Sequence, residues 1–149
     1  MAPATAAMLH SHTEALRQRI EEWRRRPANA AAAHATRIAL KRLRYLLEAF
    51  GESSELAMAA VERLGKLQDA LGRFHDAQLL QRSLTQALER ESPPSRRAVA
   101  ALRRALSNEM NTALQEARSR LGKSGLGGAL KEVARLETSL QRSDLSLVA

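Results

Sequence analysis

The chain has 149 residues, enough for one domain of ordinary size. Hydrophobic residues make up 44% of it and aromatic residues only 3%, so the core must be built from Leu, Ala, Val and Met, which favours helices over strands. The formal net charge of +8 predicts an anionic partner such as a nucleic acid, polyphosphate or an anionic membrane surface. The absence of cysteine excludes disulfides, thiolate metal sites and cysteine nucleophiles.

The first residues carry no targeting signal that we can identify. The segment from Met1 to Met8 is rich in alanine, but it is too short and too weakly charged for a secretory signal peptide. No apolar run approaches the roughly 20 residues of a membrane-spanning helix. We therefore expect a cytoplasmic protein without an inserted segment.

Apolar residues at helical spacing predict two helices in the first third of the chain. The first is expected over 5–26, where Pro27 stops it. Asn29 is a favourable N-cap for the second helix, which is expected over 30–50. Gly51 then follows as a C-terminal stop.

A third helix is expected after the next turn, with Ser53 or Ser54 as its cap. Gly72 interrupts its apolar pattern, and a further helical stretch follows over 75–90. The pattern leaves open whether Gly72 breaks this helix or only bends it.

Two more helices are predicted in the last third of the chain. Ser92 and Pro93 indicate the start of a helix that ends near Gly122. A flexible linker is expected at the glycines that come next, Gly125, Gly127 and Gly128. A short last helix is expected over 129–140.

The predicted fold is all-α, an antiparallel helical bundle, because no segment shows a strand pattern. We expect residues 1–122 to form the bundle. Residues 123–149 would supply the glycine-containing linker and the short C-terminal helix of the same domain.

The predicted second helix has two chemically different faces on a helical wheel. One face is apolar and contains Ala35, Leu40, Leu43, Leu46, Leu47 and Phe50. The opposite face carries what we call the basic stripe: His34, Arg37, Lys41, Arg44 and Tyr45. Arg42 lies just off its edge. From His34 to Tyr45 the stripe is about 16 Å long at about 1.5 Å per residue.

The basic stripe has one sign of charge, which costs a few tenths of a kcal/mol per neighbouring pair. No acid interrupts it before Glu48. This indicates an anionic ligand, although a solvated face with carboxylate partners from other helices would look the same. His34 could likewise be a bundle histidine or a ligand contact. Tyr45 could pack at the edge of the core or donate its hydroxyl group to a phosphate.

Two strings in the sequence resemble the signatures of the CHAD domain, the conserved-histidine α-helical domain. The first is HATRIALKRLRY, from His34 to Tyr45, and the second is LGRFHDAQLL, from Leu71 to Leu80. They occur in the order and at the interval expected of that family. The resemblance implies a helical domain without catalytic activity that binds inorganic polyphosphate on a basic surface. It also implies an association with polyphosphate granules or with triphosphatase-type domains.

The resemblance further implies which residues contact polyphosphate. In the first motif these are His34, Arg37, Lys41, Arg42 and Arg44, and we add Tyr45 as a phosphate-facing candidate. In the second motif they are Arg73 and His75. Asp76 cannot bind a phosphate directly, so we expect it to orient a base or to cap a helix that begins there.

The sequence departs from the family in carrying one copy of the signature, where family members commonly carry two helical units. Two copies of the chain could restore that arrangement, so we expect a homodimer with a two-fold axis. Its interface should be apolar and away from the basic stripe, built by the helix over 94–121 or by the segment after Gly125.

Metal-dependent and catalytic sites are not indicated. His10 and His12 form a weak metal motif near the chain end. Asp69, His75 and Asp76 lack an accompanying nucleophile motif, and the sequence has no glycine-rich phosphate loop. We therefore expect neither an enzyme nor a bound cofactor.

Nucleic acid is the main alternative ligand, because phosphate contacts dominate its affinity as well. Single strands need aromatic platforms, however, and this chain has one Trp, one Tyr and two Phe residues. A module that docks an acidic protein is the third possibility.

Overall fold

The computed structural model describes residues 2–51, 54–90 and 96–145. These residues form five α-helices and no strand, which confirms the predicted all-α class. The helices are α1 (Ala2–Arg25), α2 (Ala30–Glu48), α3 (Glu55–Arg90), α4 (Arg96–Ser119) and α5 (Leu126–Leu145).

Four of the helices contact one another in a ring, in the order α1, α2, α3, α5 and back to α1. The remaining helix, α4, packs mainly along α3. Leucine and alanine side chains fill the core, and its largest members are Trp23 and Phe74, each 1% exposed. None of the described helices is long and apolar enough to cross a membrane.

The turn between α1 and α2 is built as the sequence predicts. The indole Nε1 of Trp23 donates a hydrogen bond to the Pro27 carbonyl at 3.0 Å, just after α1 ends. The side-chain oxygen of Asn29 accepts from the Ala32 amide at 2.9 Å, which confirms the predicted N-cap. This cap fixes the residue at which α2 begins and thereby the position of every side chain along it.

A buried hydrogen bond sets the rotation of α2 against α1. Thr36 is fully buried, and its single hydroxyl hydrogen is shared between the carbonyl oxygen of Arg19 at 3.0 Å and that of Ala32, in its own helix, at 2.9 Å. Because Thr36 points inward, the residues on the opposite side of α2 must point outward.

The third helix is continuous through Gly72, a point that the sequence pattern leaves open. The Ser54 hydroxyl oxygen accepts from the Ala57 amide at 3.3 Å near the start of the helix, whereas Ser53 lies outside the described residues. Glycine costs about 1 kcal/mol inside a helix. The buried side chains of Leu71 and Phe74 on either side of it offset that cost through packing.

The prediction of a flexible glycine linker is wrong. The helix α5 begins at Leu126, so Gly127 and Gly128 lie in its first turn. Gly125 is buried in the preceding turn, where an added Cβ atom would collide with the carbonyl oxygen of Arg120. These glycines therefore allow backbone segments to approach closely instead of providing flexibility.

The turn before α5 is held from α3. Arg63 donates to the Ser124 carbonyl oxygen, and its Nε lies 3.2 Å from a carboxylate oxygen of Glu132. The helix α5 is longer at both ends than the predicted 129–140. The predicted start of the preceding helix, at Ser92 and Pro93, falls outside the described residues.

Candidate anion-binding site

The buried side of α2 consists of Ala33, Thr36, Leu40, Leu43 and Leu47. Three of the predicted apolar residues, Ala35, Leu46 and Phe50, are only partly buried. The helix is therefore rotated slightly from the predicted orientation, so that His34, Lys41, Arg42 and Tyr45 are exposed and Arg37 and Arg44 are half-buried.

The two motif histidines meet at the edge between α2 and α3. The ring centroids of His34 and His75 lie 5.4 Å apart, with an angle of 36° between the ring planes. His34 is exposed and His75 is half-buried. Imidazole rings so placed can both offer N–H donors to one anion that lies across them.

The cations next to this histidine pair have no acidic partners. Within the described residues Arg37, Lys41 and Arg42 form no ion pair. The Nε atom of Arg37 is buried and also lacks a hydrogen-bond partner. Carboxylates in the described part of the other helices thus do not neutralise these three side chains, contrary to the alternative considered for a solvated face.

Among the described residues, the basic stripe has an acidic partner only at its end. The Arg44 Nε atom lies 3.0 Å from a carboxylate oxygen of Glu48, an ion pair without the alignment of a hydrogen bond. Glu48 is the one acid that the sequence places near the stripe. The remaining cations on α2 keep their positive potential for a ligand.

Tyr45 is 52% exposed and so does not pack in the core. The Lys41 Nζ atom lies 5.3 Å and the Arg44 Cζ atom 5.6 Å from the centroid of its ring. A cation–π contact at an exposed site contributes about 0.5–1 kcal/mol. Tyr45 therefore helps to hold two like charges side by side on the surface of α2.

The family model of the CHAD domain matches residues 7–147, nearly the whole chain. The chain belongs to the CHAD domain family. Comparison with curated proteins and with solved structures gave no match. CHAD domains are generally binding domains and are associated with polyphosphate. The match confirms the family resemblance carried by the two strings and extends it over α1, α4 and α5.

Arg73, from the second motif of this CHAD domain, lies away from the basic stripe. It donates to the carboxylate of Glu116 on α4, and its Nη1 atom is 3.9 Å from a carboxylate oxygen of Glu109. Residues two apart on a helix point in nearly opposite directions, so His75 faces α2 while Arg73 faces α4. The structure thus places His75 beside His34 at the edge between α2 and α3, puts Arg42 on the α1 side of α2, and turns Arg73 toward α4.

The contact with Arg73 changes the acidity of its partner. The hydrogen bond from the Arg73 guanidinium lowers the pKa of the Glu116 carboxyl group, and a second one from Arg120 adds to that effect. Arg73 is therefore partly neutralised by α4 in the ligand-free protein.

The expectation that Asp76 caps a helix is wrong, because α3 runs uninterrupted through this residue. Asp76 is exposed on the middle of the helix, where every backbone amide already has an intrahelical acceptor. It forms no ion pair with any residue in the described part of the chain.

One flank of this surface is not foreseen from the motifs. A groove between α1 and α2 is lined by His12 and Arg19 of α1 and by Arg42 of α2. Arg19 also donates to Glu22 at 2.8 Å. The i, i+7 spacing of His12 and Arg19 was the only signal in the sequence that they share a face.

His10 and His12 do not converge on a metal. His10 lies 3.7 Å from a carboxylate oxygen of Glu137 on α5, whereas His12 lines the groove beside α2. Over the described ranges no group of three His, Cys, Asp or Glu residues is placed to hold a metal ion.

Proposed function

We propose that this CHAD domain binds inorganic polyphosphate, without catalysis, on the basic stripe together with Arg42 and His75. The observation that carries the proposal is the meeting of His34 and His75, 5.4 Å apart, beside cations without acidic partners among the described residues. A chain of phosphates laid along α2 would supply the missing negative charge. In cells, such binding would place the protein on polyphosphate granules.

The exposure of the aromatic residues favours polyphosphate over single-stranded nucleic acid. Trp23 and Phe74 are 1% exposed and Phe50 is half-buried. Tyr45 alone is exposed, and two cations lie near its ring. Binding of single strands relies on successive bases stacking on aromatic side chains. A polyphosphate chain has no bases and requires only cations and donors along a line.

The charge of the surface supports a binding role rather than a hydrolytic one. Enzymes that cleave phosphoanhydrides commonly hold divalent cations with carboxylates close to the phosphates. On α2 the sole carboxylate is that of Glu48, which is engaged by Arg44 at one end of the stripe. The surface therefore offers attraction and orientation to a polyanion.

Replacing Arg37, Lys41 and Arg44 together by Ala tests the proposal. We expect long-chain polyphosphate to bind about tenfold more weakly, since each of the three lost charge contacts contributes about 0.5 kcal/mol at an exposed site. The logarithm of affinity should also fall less steeply with the logarithm of salt concentration, because fewer counterions are released. Titration calorimetry at several salt concentrations measures both quantities.

The triple substitution of Lys131, Arg135 and Arg142 by Ala is a matched control on α5. It removes the same net charge from a helix whose main neighbours are α1 and α3. Near-normal affinity is expected for it. Equal affinities for the two triple variants, with helicity intact, would show that the basic stripe is not the site.

Competition with duplex DNA separates the proposed ligand from the main alternative. Unlabelled polyphosphate should displace labelled polyphosphate at a lower phosphate concentration than duplex DNA does. Equal displacement per phosphate would indicate a general polyanion-binding surface and would contradict the proposal of polyphosphate as the ligand. An acidic protein partner would be indicated if neither polymer bound.

A further inference from the structure

The helix α3 continues well beyond the start of α2. The side-chain amide of Gln78 donates to the carbonyl of Ala28 at 3.3 Å, immediately before α2 begins. Gln78 is thus level with the first residue of α2, and α3 extends for twelve further residues to Arg90. Along this part of α3, Gln81, Arg82, Thr85 and Gln86 share a groove with Arg103 of α4.

A cation on this extension continues the line of the basic stripe. His75 and Arg82 are seven residues apart and lie on the same face of α3, about 10 Å apart along its axis. Because α2 and α3 are antiparallel neighbours, the direction from Tyr45 to His34 on α2 is also the direction from His75 to Arg82 on α3. A linear ligand that passes His34 and His75 therefore meets Arg82 next.

Arg82 does not stand alone. It lines a groove between α3 and α4 with Arg103 of α4 and with the uncharged donors Gln81, Thr85 and Gln86. Among the described residues that line the groove there is no carboxylate. In the part of the chain that the structure describes, neither arginine forms an ion pair. Like the basic stripe, the groove thus offers cations and hydrogen-bond donors to an anion, but it lies between α3 and α4.

We propose that this groove, which we call the α3–α4 groove, is the second half of the polyphosphate site. The inference rests on the proposed function. The combined track, from Tyr45 through the histidine pair to Arg82, is about 26 Å long at about 1.5 Å per residue. A long chain contacts both halves of the site, whereas a short chain binds to the basic stripe alone. The α3–α4 groove consequently makes the domain selective for chain length.

The test compares two double variants with equal loss of charge. Arg82→Ala with Arg103→Ala removes the two arginines of the α3–α4 groove. Arg135→Ala with Arg142→Ala removes two exposed arginines that line a groove on α5. Each variant is titrated with long-chain polyphosphate and with tripolyphosphate. All four side chains are exposed, and circular dichroism verifies the fold.

We expect the first variant to bind long-chain polyphosphate about fivefold more weakly than the second, and with a shallower salt dependence. Tripolyphosphate should bind both variants equally. Equal affinities of the two variants for the long chain would overturn the inference, as would an equal loss for the long and the short chain. If the long chain still requires Arg37, Lys41 and Arg44 in that case, the proposed function stands. Wild-type protein that binds no polyphosphate would refute both.

Discussion

The histidine pair predicts that polyphosphate binding strengthens as pH falls. A protonated imidazole attracts phosphate oxygens more strongly than a neutral one, and histidine side chains ordinarily titrate near pH ~6.5. Each proton taken up on binding changes the affinity by up to about tenfold per pH unit. With His34 and His75 at a ring separation of 5.4 Å, a single stretch of the polyanion contacts both, so the slope of log affinity against pH can exceed that of one proton.

The replacements His34→Gln and His75→Gln, alone and together, measure each contribution. Because the two rings share a ligand, the single effects should not add, and a coupling energy of about 0.5 kcal/mol or more is expected in the double-mutant cycle. Glutamine keeps an amide donor but cannot titrate, so the double variant should bind with an affinity that is flat with pH.

Titration calorimetry between about pH 5.5 and about pH 8, repeated in buffers of different ionisation enthalpy, gives both the affinity and the number of protons taken up. The wild-type protein should take up protons when it binds the polyanion and release none. Two results would refute the reasoning: an affinity independent of pH in the wild-type protein, or an undiminished slope in the double variant. An undiminished slope in the double variant would mean that other titrating groups control the affinity.

Two further predictions concern stability and assembly. Glu116→Gln should lower the free energy of unfolding by about 0.5 kcal/mol near neutral pH, since the pair with Arg73 is partly exposed. Because the folded-state pKa of Glu116 is lowered, this contribution is present above the unfolded-state pKa and disappears as pH falls through the folded-state pKa. Urea unfolding should therefore show a difference between wild type and variant at neutral pH and none at acidic pH. The chain is also predicted to form a homodimer through apolar contacts away from the basic stripe, to which Leu80 and Leu102, 59% and 47% exposed, would contribute. Sedimentation of the ligand-free protein should show a dimer at both low and high salt. The double variant Leu80→Gln with Leu102→Gln should be a monomer, whereas the control variant Met58→Gln should remain a dimer. A wild-type monomer at both salt concentrations would contradict the prediction.

Several features of this domain follow from local sequence alone. The capping side chain of Asn29, the stop before Pro27 and the apolar spacing of Leu40, Leu43 and Leu47 determine where α2 lies and which side of it is buried. These are interactions among residues within a few turns of one another, so their geometry is set by the 3.6-residue repeat of the helix. For the same reason the one-sign charge on the outer face of α2 could be recognised before any tertiary structure was known.

Local patterns could not decide how neighbouring helices combine. Whether Gly72 breaks α3 depends on the burial of the side chains around it, and the start of α5 depends on Arg63 reaching across from α3. Both outcomes are decided by packing between residues far apart in the sequence, which can outweigh a local preference of about 1 kcal/mol.

Packing between helices also determines which of the predicted residues lie together at the candidate site. The two motifs contain His34, Arg73 and His75 as equal candidates, and only the packing of α3 between α2 and α4 separates them. That packing brings His75 to within 5.4 Å of His34 and turns Arg73 toward Glu116. When a helix packs against neighbours on two sides, the angle of a residue around the helix axis determines which neighbour its side chain faces. Which helices those neighbours are is a property of the tertiary fold.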